Sequence, residues 1–147
     1  MLDELYQEVI LDHNKSPRNF GELEGASHRA EGHNPLCGDK VKVYLEIEDG
    51  VIADIRFQGA GCAISTASAS LMTEALKGKT VEDARQLFGR FHEVVTGKRE
   101  ADPDTIGKLA VFQGVQKYPV RVKCASLAWH TLQAALQEKS QPVTTES

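Results

Sequence analysis

A chain of 147 residues fits one domain with enough core to need no disulfide staple. Its 41% hydrophobic and 26% charged residues are ordinary for a globular chain, and a net charge of −4 offers no basic field to attract nucleic acid or an anionic membrane. No apolar run approaches the roughly 18 residues that cross a bilayer, and the opening Met-Leu-Asp-Glu-Leu lacks the basic start of a secretory leader. Three cysteines cannot close a disulfide set, so a cytoplasmic, reducing address with metal or thiol chemistry is expected.

Leu2, Leu5, Tyr6, Val9 and Ile10 recur at helical spacing, which predicts an amphipathic helix over 2–12 that stops before Pro17. The polar, Gly-rich stretch 18–32 reads as loop with a short strand near His28–Glu31. Over 40–48, Val41, Val43, Leu45 and Ile47 alternate with Lys40, Lys42, Tyr44, Glu46 and Glu48. Asp49-Gly50 suits a two-residue turn with positive φ at both positions. In 51–58, Val51, Ala53, Ile55 and Phe57 then alternate with Ile52, Asp54, Arg56 and Gln58. A β-hairpin with one buried face follows.

The hairpin leads into Gly59-Ala60-Gly61-Cys62 and a small-residue helix over 63–76, with Gly78 placed to end it. Cys62 should therefore sit at a helix N-terminus, where free N–H groups favour a thiolate. Thr80 with Asp83 resembles a helix cap before Val81, Ala84, Leu87 and Phe88, and the helical pattern fades from Gly89 to Ala101. Asp102-Pro103 opens a short helix ending near Gly114, and 118–123 reads as extended because of Pro119. Cys124 then begins the last helix, with Leu127, Ala128, Leu132, Ala135 and Leu136 on its apolar face. The expected organisation is one domain over 1–139 and a disordered tail over 140–147.

Three thiols and a neighbouring carboxylate carry the chemistry. Cys37 lies in Asn34-Pro35-Leu36-Cys37-Gly38-Asp39, two residues before Asp39; the others are Cys62 and Cys124. No CxxC pair exists, so spacing alone is a weak zinc signal, and three inert core thiols remain an alternative to a shared site. The junction positions of the cysteines leave the two readings level, and Asp39 tips the balance towards the site. Cys37, Asp39, Cys62 and Cys124 together would complete a tetrahedral Zn²⁺ set of three soft sulfurs and one hard oxygen. The competing reading of Asp39 is a turn-capping carboxylate. None of the five histidines falls in a ligand motif, and His33 is the nearest to the site in sequence. Arg121 and Lys123 flank Cys124 and would lower the net charge of a thiolate cluster.

On Asn34-Pro35-Leu36-Cys37-Gly38-Asp39, Gly61-Cys62-Ala63-Ile64-Ser65 and Lys123-Cys124-Ala125-Ser126-Leu127-Ala128, the chain resembles the IscU-like family of iron–sulfur assembly proteins. Tyr6, Val9–His13 and Pro17-Arg18-Asn19 match the family's first helix and the loop after it. Lys123 where the scaffold branch has His, Trp129-His130, and an apparent insertion around 89–108 resemble the SufU branch instead.

That resemblance implies an α+β fold, a small antiparallel β-sheet (hairpin 40–48/51–58 plus a short strand) packed against helices. It also implies a zinc-dependent sulfurtransferase that takes persulfide sulfur from a SufS-type cysteine desulfurase and passes it to a downstream iron–sulfur assembly scaffold. The implied roles are Cys37, Asp39, Cys62 and Cys124 on zinc, Cys37 as the sulfur acceptor released when a partner histidine takes its place, and Arg121 as a helper of that thiolate. Alternatives are a scaffold holding a [2Fe–2S] cluster and a plain zinc-stabilised interaction domain.

Overall fold

The hairpin is the frame on which the rest is hung. In the computed structural model, which describes residues 2–35, 38–137 and 143–144, β2 (Asp39–Glu48) and β3 (Val51–Ala60) pair antiparallel. They are joined through Asp49 (φ 51°) and Gly50 (φ 76°), the positive-φ pair the sequence predicts. The alternation expected for β3 is interrupted. Glu46 pairs with Asp54 but Ile47 with Ile52, so Ala53 is a bulged residue. The bulge puts Ile52 inside and Ala53 outside, while Ile55 and Phe57 stay buried as expected. Tyr44, expected on the solvent face, is also buried: its hydroxyl donates to Gln58 at 2.6 Å and the Arg29 guanidinium lies 5.9 Å from its ring.

β1 (His28–Asn34) runs antiparallel to β2 and is three residues longer than its sequence signal, which brings Asn34 opposite Asp39. Val143–Thr144 (β4), inside the segment expected to be disordered, pairs parallel with Gly32 and His33, giving the strand order β3-β2-β1-β4. The edge of β1 offers free backbone groups, and a short stretch of chain satisfies them. At the other edge the 18–32 segment does the same: Gly21 N–H donates to Phe57 O at 2.8 Å, and the Phe20 and Phe57 rings meet edge to face at 5.2 Å.

Helices cover the inner face of the sheet. α1 (Leu2–Lys15) precedes the sheet, and α2 (Ala63–Leu76) follows β3. α2 is buried on most sides, as its Ala/Ser-rich composition permits, because small side chains let neighbouring backbones approach. α3 (Val81–Val95) is capped by Thr80, whose hydroxyl accepts from Asp83 N–H at 3.0 Å. It continues through Gly89, where the sequence pattern fades. Phe91, Val94 and Val95 keep the helical spacing and are fully buried, and that burial outweighs the roughly 1 kcal/mol cost of a helical Gly.

α4 (Pro103–Ile106) is capped by Asp102 and runs into a 3-10 helix over Gly107–Lys117 rather than ending near Gly114. α5 spans Pro119–Leu136, so the stretch 118–123 is helical and not extended. Pro119 occupies the first helical position, where its missing N–H costs nothing and its fixed φ helps. The apolar layer between sheet and helices includes Val43, Leu45, Ile55, Leu71, Met72, Leu127 and Trp129. Among the described residues no helix is long and apolar enough to cross a membrane.

Candidate metal centre

Strand and helix ends meet the second turn of the last helix at one place. Asn34 closes β1, Asp39 opens β2, Cys62 follows β3 as the N-cap of α2, and Cys124 lies in the second turn of α5. Cys124 is therefore not at the helix N-terminus where the sequence leads one to expect it, and only Cys62 of the two caps a helix. The hairpin makes the meeting possible, because it returns the chain at Ala60 opposite Lys40, next to Asp39.

The ligand atoms of Asp39, Cys62 and Cys124 all lie within 4.8 Å of one another. Asp39 is completely buried and Cys124 is 2% exposed, while Cys62 is half-buried. Asp39 divides its carboxylate: Oδ1 accepts the Cys62 backbone N–H at 2.7 Å, and Oδ2 lies 3.7 Å from Cys62 Sγ. Cys62 Sγ accepts the Ser65 backbone N–H at 3.4 Å, and Asn34, also fully buried, donates from Nδ2 to Cys124 Sγ at 3.6 Å.

The helices that carry the two thiols are locked together next to the site, where Ser68 Oγ donates to Ala125 O at 2.6 Å. Gly61 packs directly on Asp39; a Cβ there would lie 2.8 Å from Asp39 Cγ and closer still to Oδ1. Only glycine fits.

The fourth expected ligand, Cys37, lies outside the described residues. On either side of it in sequence, Gly38 (φ 72°) donates its N–H to Asn34 O at 2.8 Å, and Asn34 pairs with Asp39. Arg121, three residues before Cys124, is exposed, stacks its guanidinium 5.1 Å from the Tyr118 ring, and lines a cleft of about 640 Å³ that also contains Cys62 and Cys124. Lys123 is half-buried on the same helix. His33 points away: it is exposed, adjacent to buried Asn34 in a strand where successive side chains alternate, and lines a separate cleft with Lys42 and Gln58.

The donor chemistry fits Zn²⁺. Zinc–sulfur bonds of about 2.3 Å and zinc–oxygen bonds of about 2.1 Å at tetrahedral angles separate donors by roughly 3.5 Å, close to the 3.7 Å between Cys62 Sγ and Asp39 Oδ2. Asn34, which the sequence alone did not mark, is recognisable only through the register that sets it opposite Asp39.

Residues 5–125 match the family model described as NifU-like N terminal domain. The chain belongs to this family. This NifU-like domain is 41% identical over 138 residues to the zinc-dependent sulfurtransferase SufU of Bacillus subtilis strain 168, covering 94% of this chain and 93% of that one. It is equally 41% identical over 138 residues to the iron–sulfur cluster assembly scaffold protein IscU of Thermotoga maritima, covering 94% and 96%. Among solved structures, a putative iron–sulfur cluster assembly scaffold protein for the SUF system from Fervidobacterium islandicum aligns with a TM-score of 0.84 and 38% identity, over 90% of this chain and 97% of that one. The N-terminal NifU-like protein of Brucella abortus aligns with the same TM-score at 25% identity, over 92% and 94%. The α+β fold with its antiparallel hairpin and packed helices, expected from the sequence, is thus the fold of this family.

Proposed function

We propose that this NifU-like domain is a zinc-dependent sulfur acceptor that takes persulfide sulfur from a SufS-type cysteine desulfurase and hands it to an iron–sulfur assembly scaffold. The observation that carries the reading is the convergence of Asp39, Cys62 and Cys124 within 4.8 Å, with Cys37 two residues before Asp39 in sequence. Likeness to the sulfurtransferase of Bacillus subtilis supports it. Zinc, held by Cys37, Asp39, Cys62 and Cys124, would keep the thiols deprotonated and unreactive until needed.

Three of the four proposed ligands sit on rigid structure: Asp39 at the start of a paired strand, and Cys62 and Cys124 on helices joined by the Ser68–Ala125 hydrogen bond. Cys37 lies in sequence between Asn34-Pro35 and Gly38, whose N–H donates to Asn34 O at 2.8 Å. Its thiolate attacks the outer sulfur of the partner's persulfide; the partner's S–S bond breaks, its cysteine leaves as a thiolate, and a new S–S bond forms on Cys37. Asp39 stays, because one of its oxygens is already committed to the backbone of Cys62. Arg121, on the helical face of Cys124 and at the cleft, is placed to offset negative charge during transfer.

The test is desulfurase turnover with wild type and Cys37→Ala at matched zinc content and saturating reductant. Wild type should accelerate turnover and Cys37→Ala should not; equal acceleration by both rules out Cys37 as acceptor. A second reading, a [2Fe–2S] scaffold, is favoured by the 41% identity to an IscU of that name. Metal analysis of protein purified without oxygen separates the two: one colourless zinc per chain supports the acceptor, and iron with stoichiometric sulfide the scaffold.

A further inference from the structure

Three thiols in one site pose a selection problem that the reading above leaves open: what stops Cys124 from accepting sulfur? Cys124 lines the same open cleft as Cys62, so burial of most of its surface does not by itself deny a small electrophile access. The thiolate is the nucleophile, and its strength depends on the electron density left on sulfur. A hydrogen bond to sulfur withdraws that density, and donors next to a metal-bound ligand tune it.

Asn34 supplies such a bond. Its side chain is fully buried at the end of β1, and Nδ2 donates to Cys124 Sγ at 3.6 Å. The backbone that carries the amide is held, because Asn34 pairs with Asp39 across the β1–β2 ladder and its main-chain carbonyl accepts the Gly38 N–H at 2.8 Å. Cys62 is restrained in a comparable way by the Ser65 N–H.

We infer that Asn34 is a positioning residue that makes Cys124 an anchor and not an acceptor: its buried amide weakens the Cys124 thiolate as a nucleophile and ties it to the end of β1. This rests on the zinc-bound sulfur-acceptor reading of the site but concerns a residue outside its ligand set. Asn34 has no part in the transfer itself; it decides where the sulfur goes.

The measurement is residue-resolved alkylation of the zinc-loaded full chain by iodoacetamide, read by peptide mass spectrometry, in wild type and Asn34→Leu. Leucine has nearly the shape of asparagine but no donor. The ratio of Cys124 to Cys37 labelling should rise about tenfold in Asn34→Leu, the scale of losing one hydrogen bond to a charged group. An unchanged ratio at full metal content overturns the inference. If Asn34→Leu does not hold metal, the wild type decides: with NMR-active cadmium in the site, the Asn34 side-chain amide proton should show through-bond coupling to the metal across Cys124 sulfur. Absence of that coupling overturns the inference equally. Neither readout involves the desulfurase, so loss of sulfur acceptance in Cys37→Ala experiments and loss of this thiolate ordering are told apart.

Discussion

Gly61 and Asp39 show how much of the site rests on backbone contact. The Asp39 carboxylate is held against the α2 entry by the Cys62 N–H at 2.7 Å, and it can come that close only because position 61 has no side chain. Gly61 also has φ 159°, at the margin of what other residues adopt, but the contact is the stronger constraint. In Gly61→Ala the new methyl group displaces the carboxylate or pushes α2 away from β2. We expect zinc affinity at least about tenfold weaker and a stability loss of about 1–3 kcal/mol, the range for disturbing a buried polar network. Competition with a chromophoric chelator and urea unfolding measure the two. Wild-type zinc affinity in Gly61→Ala would show that Asp39 is dispensable as a ligand.

At the scale of elements, legibility followed periodicity. The hairpin and α2 were readable because their patterns are local: alternation around Asp49-Gly50, then a run of small residues ending before Gly78. The second half of α3 was not, because Gly89 hides a helix whose reason for continuing is tertiary: Phe91 stacks on Trp129 from α5 at 4.8 Å. The first turn of α5 is hidden in the sequence because Pro119 blocks a helix from upstream but also starts one. The sequence offers Asp39, Cys62 and Cys124 as candidate ligands but not the geometry that brings them together. Asn34 and Gly61 act through strand register and close approach, which only the folded hairpin creates.

One inter-element contact has a consequence for pH. Buried His13 joins α1 to α2 through Nδ1 and Ser70 Oγ at 2.7 Å, while the Arg18 N–H donates to the same hydroxyl at 2.9 Å. Burial, and then the nearby Arg18 charge, lower the His13 pKa below its usual 6.5. As pH falls through 6.5 the unfolded chain takes up this proton before the folded one does. The contribution is therefore whole above 6.5 and drains away as pH falls towards the folded-state value. His130, lowered by burial and by His92, acts in the same direction. In His13→Asn, which keeps a polar atom at the Nδ1 position, stability should fall less steeply between pH 6.5 and about 5 than in wild type at equal zinc content. Parallel slopes in urea titrations would remove His13 from the pH response.

For the molecule as a whole, the centre is where the sheet and the helices are fastened to each other. The apolar layer between them is a continuous set of buried residues from β2, β3, α2, α3 and α5. Zinc would add a cross-link between the start of β2, the start of α2 and the second turn of α5, segments far apart in sequence. Binding to the folded state alone raises stability by mass action, and structural zinc in small peptides is worth about 10–16 kcal/mol, comparable to the roughly 5–15 kcal/mol of a whole domain. A chain of 147 residues buries an apolar core that such peptides lack, so we expect a smaller net effect of about 5 kcal/mol. At about 2–4 °C per kcal/mol for a chain of this size, chelation should lower Tm by roughly 10–20 °C. Cys37→Ala, which leaves Asp39, Cys62 and Cys124 in place, should keep a larger share of the wild-type Tm than Cys124→Ala does. Differential scanning calorimetry before and after verified zinc removal decides the matter: an unchanged melt would mean that the metal serves chemistry only. A Cys37→Ala melt as low as that of Cys124→Ala would mean that the turn, and not the helices, is the anchor.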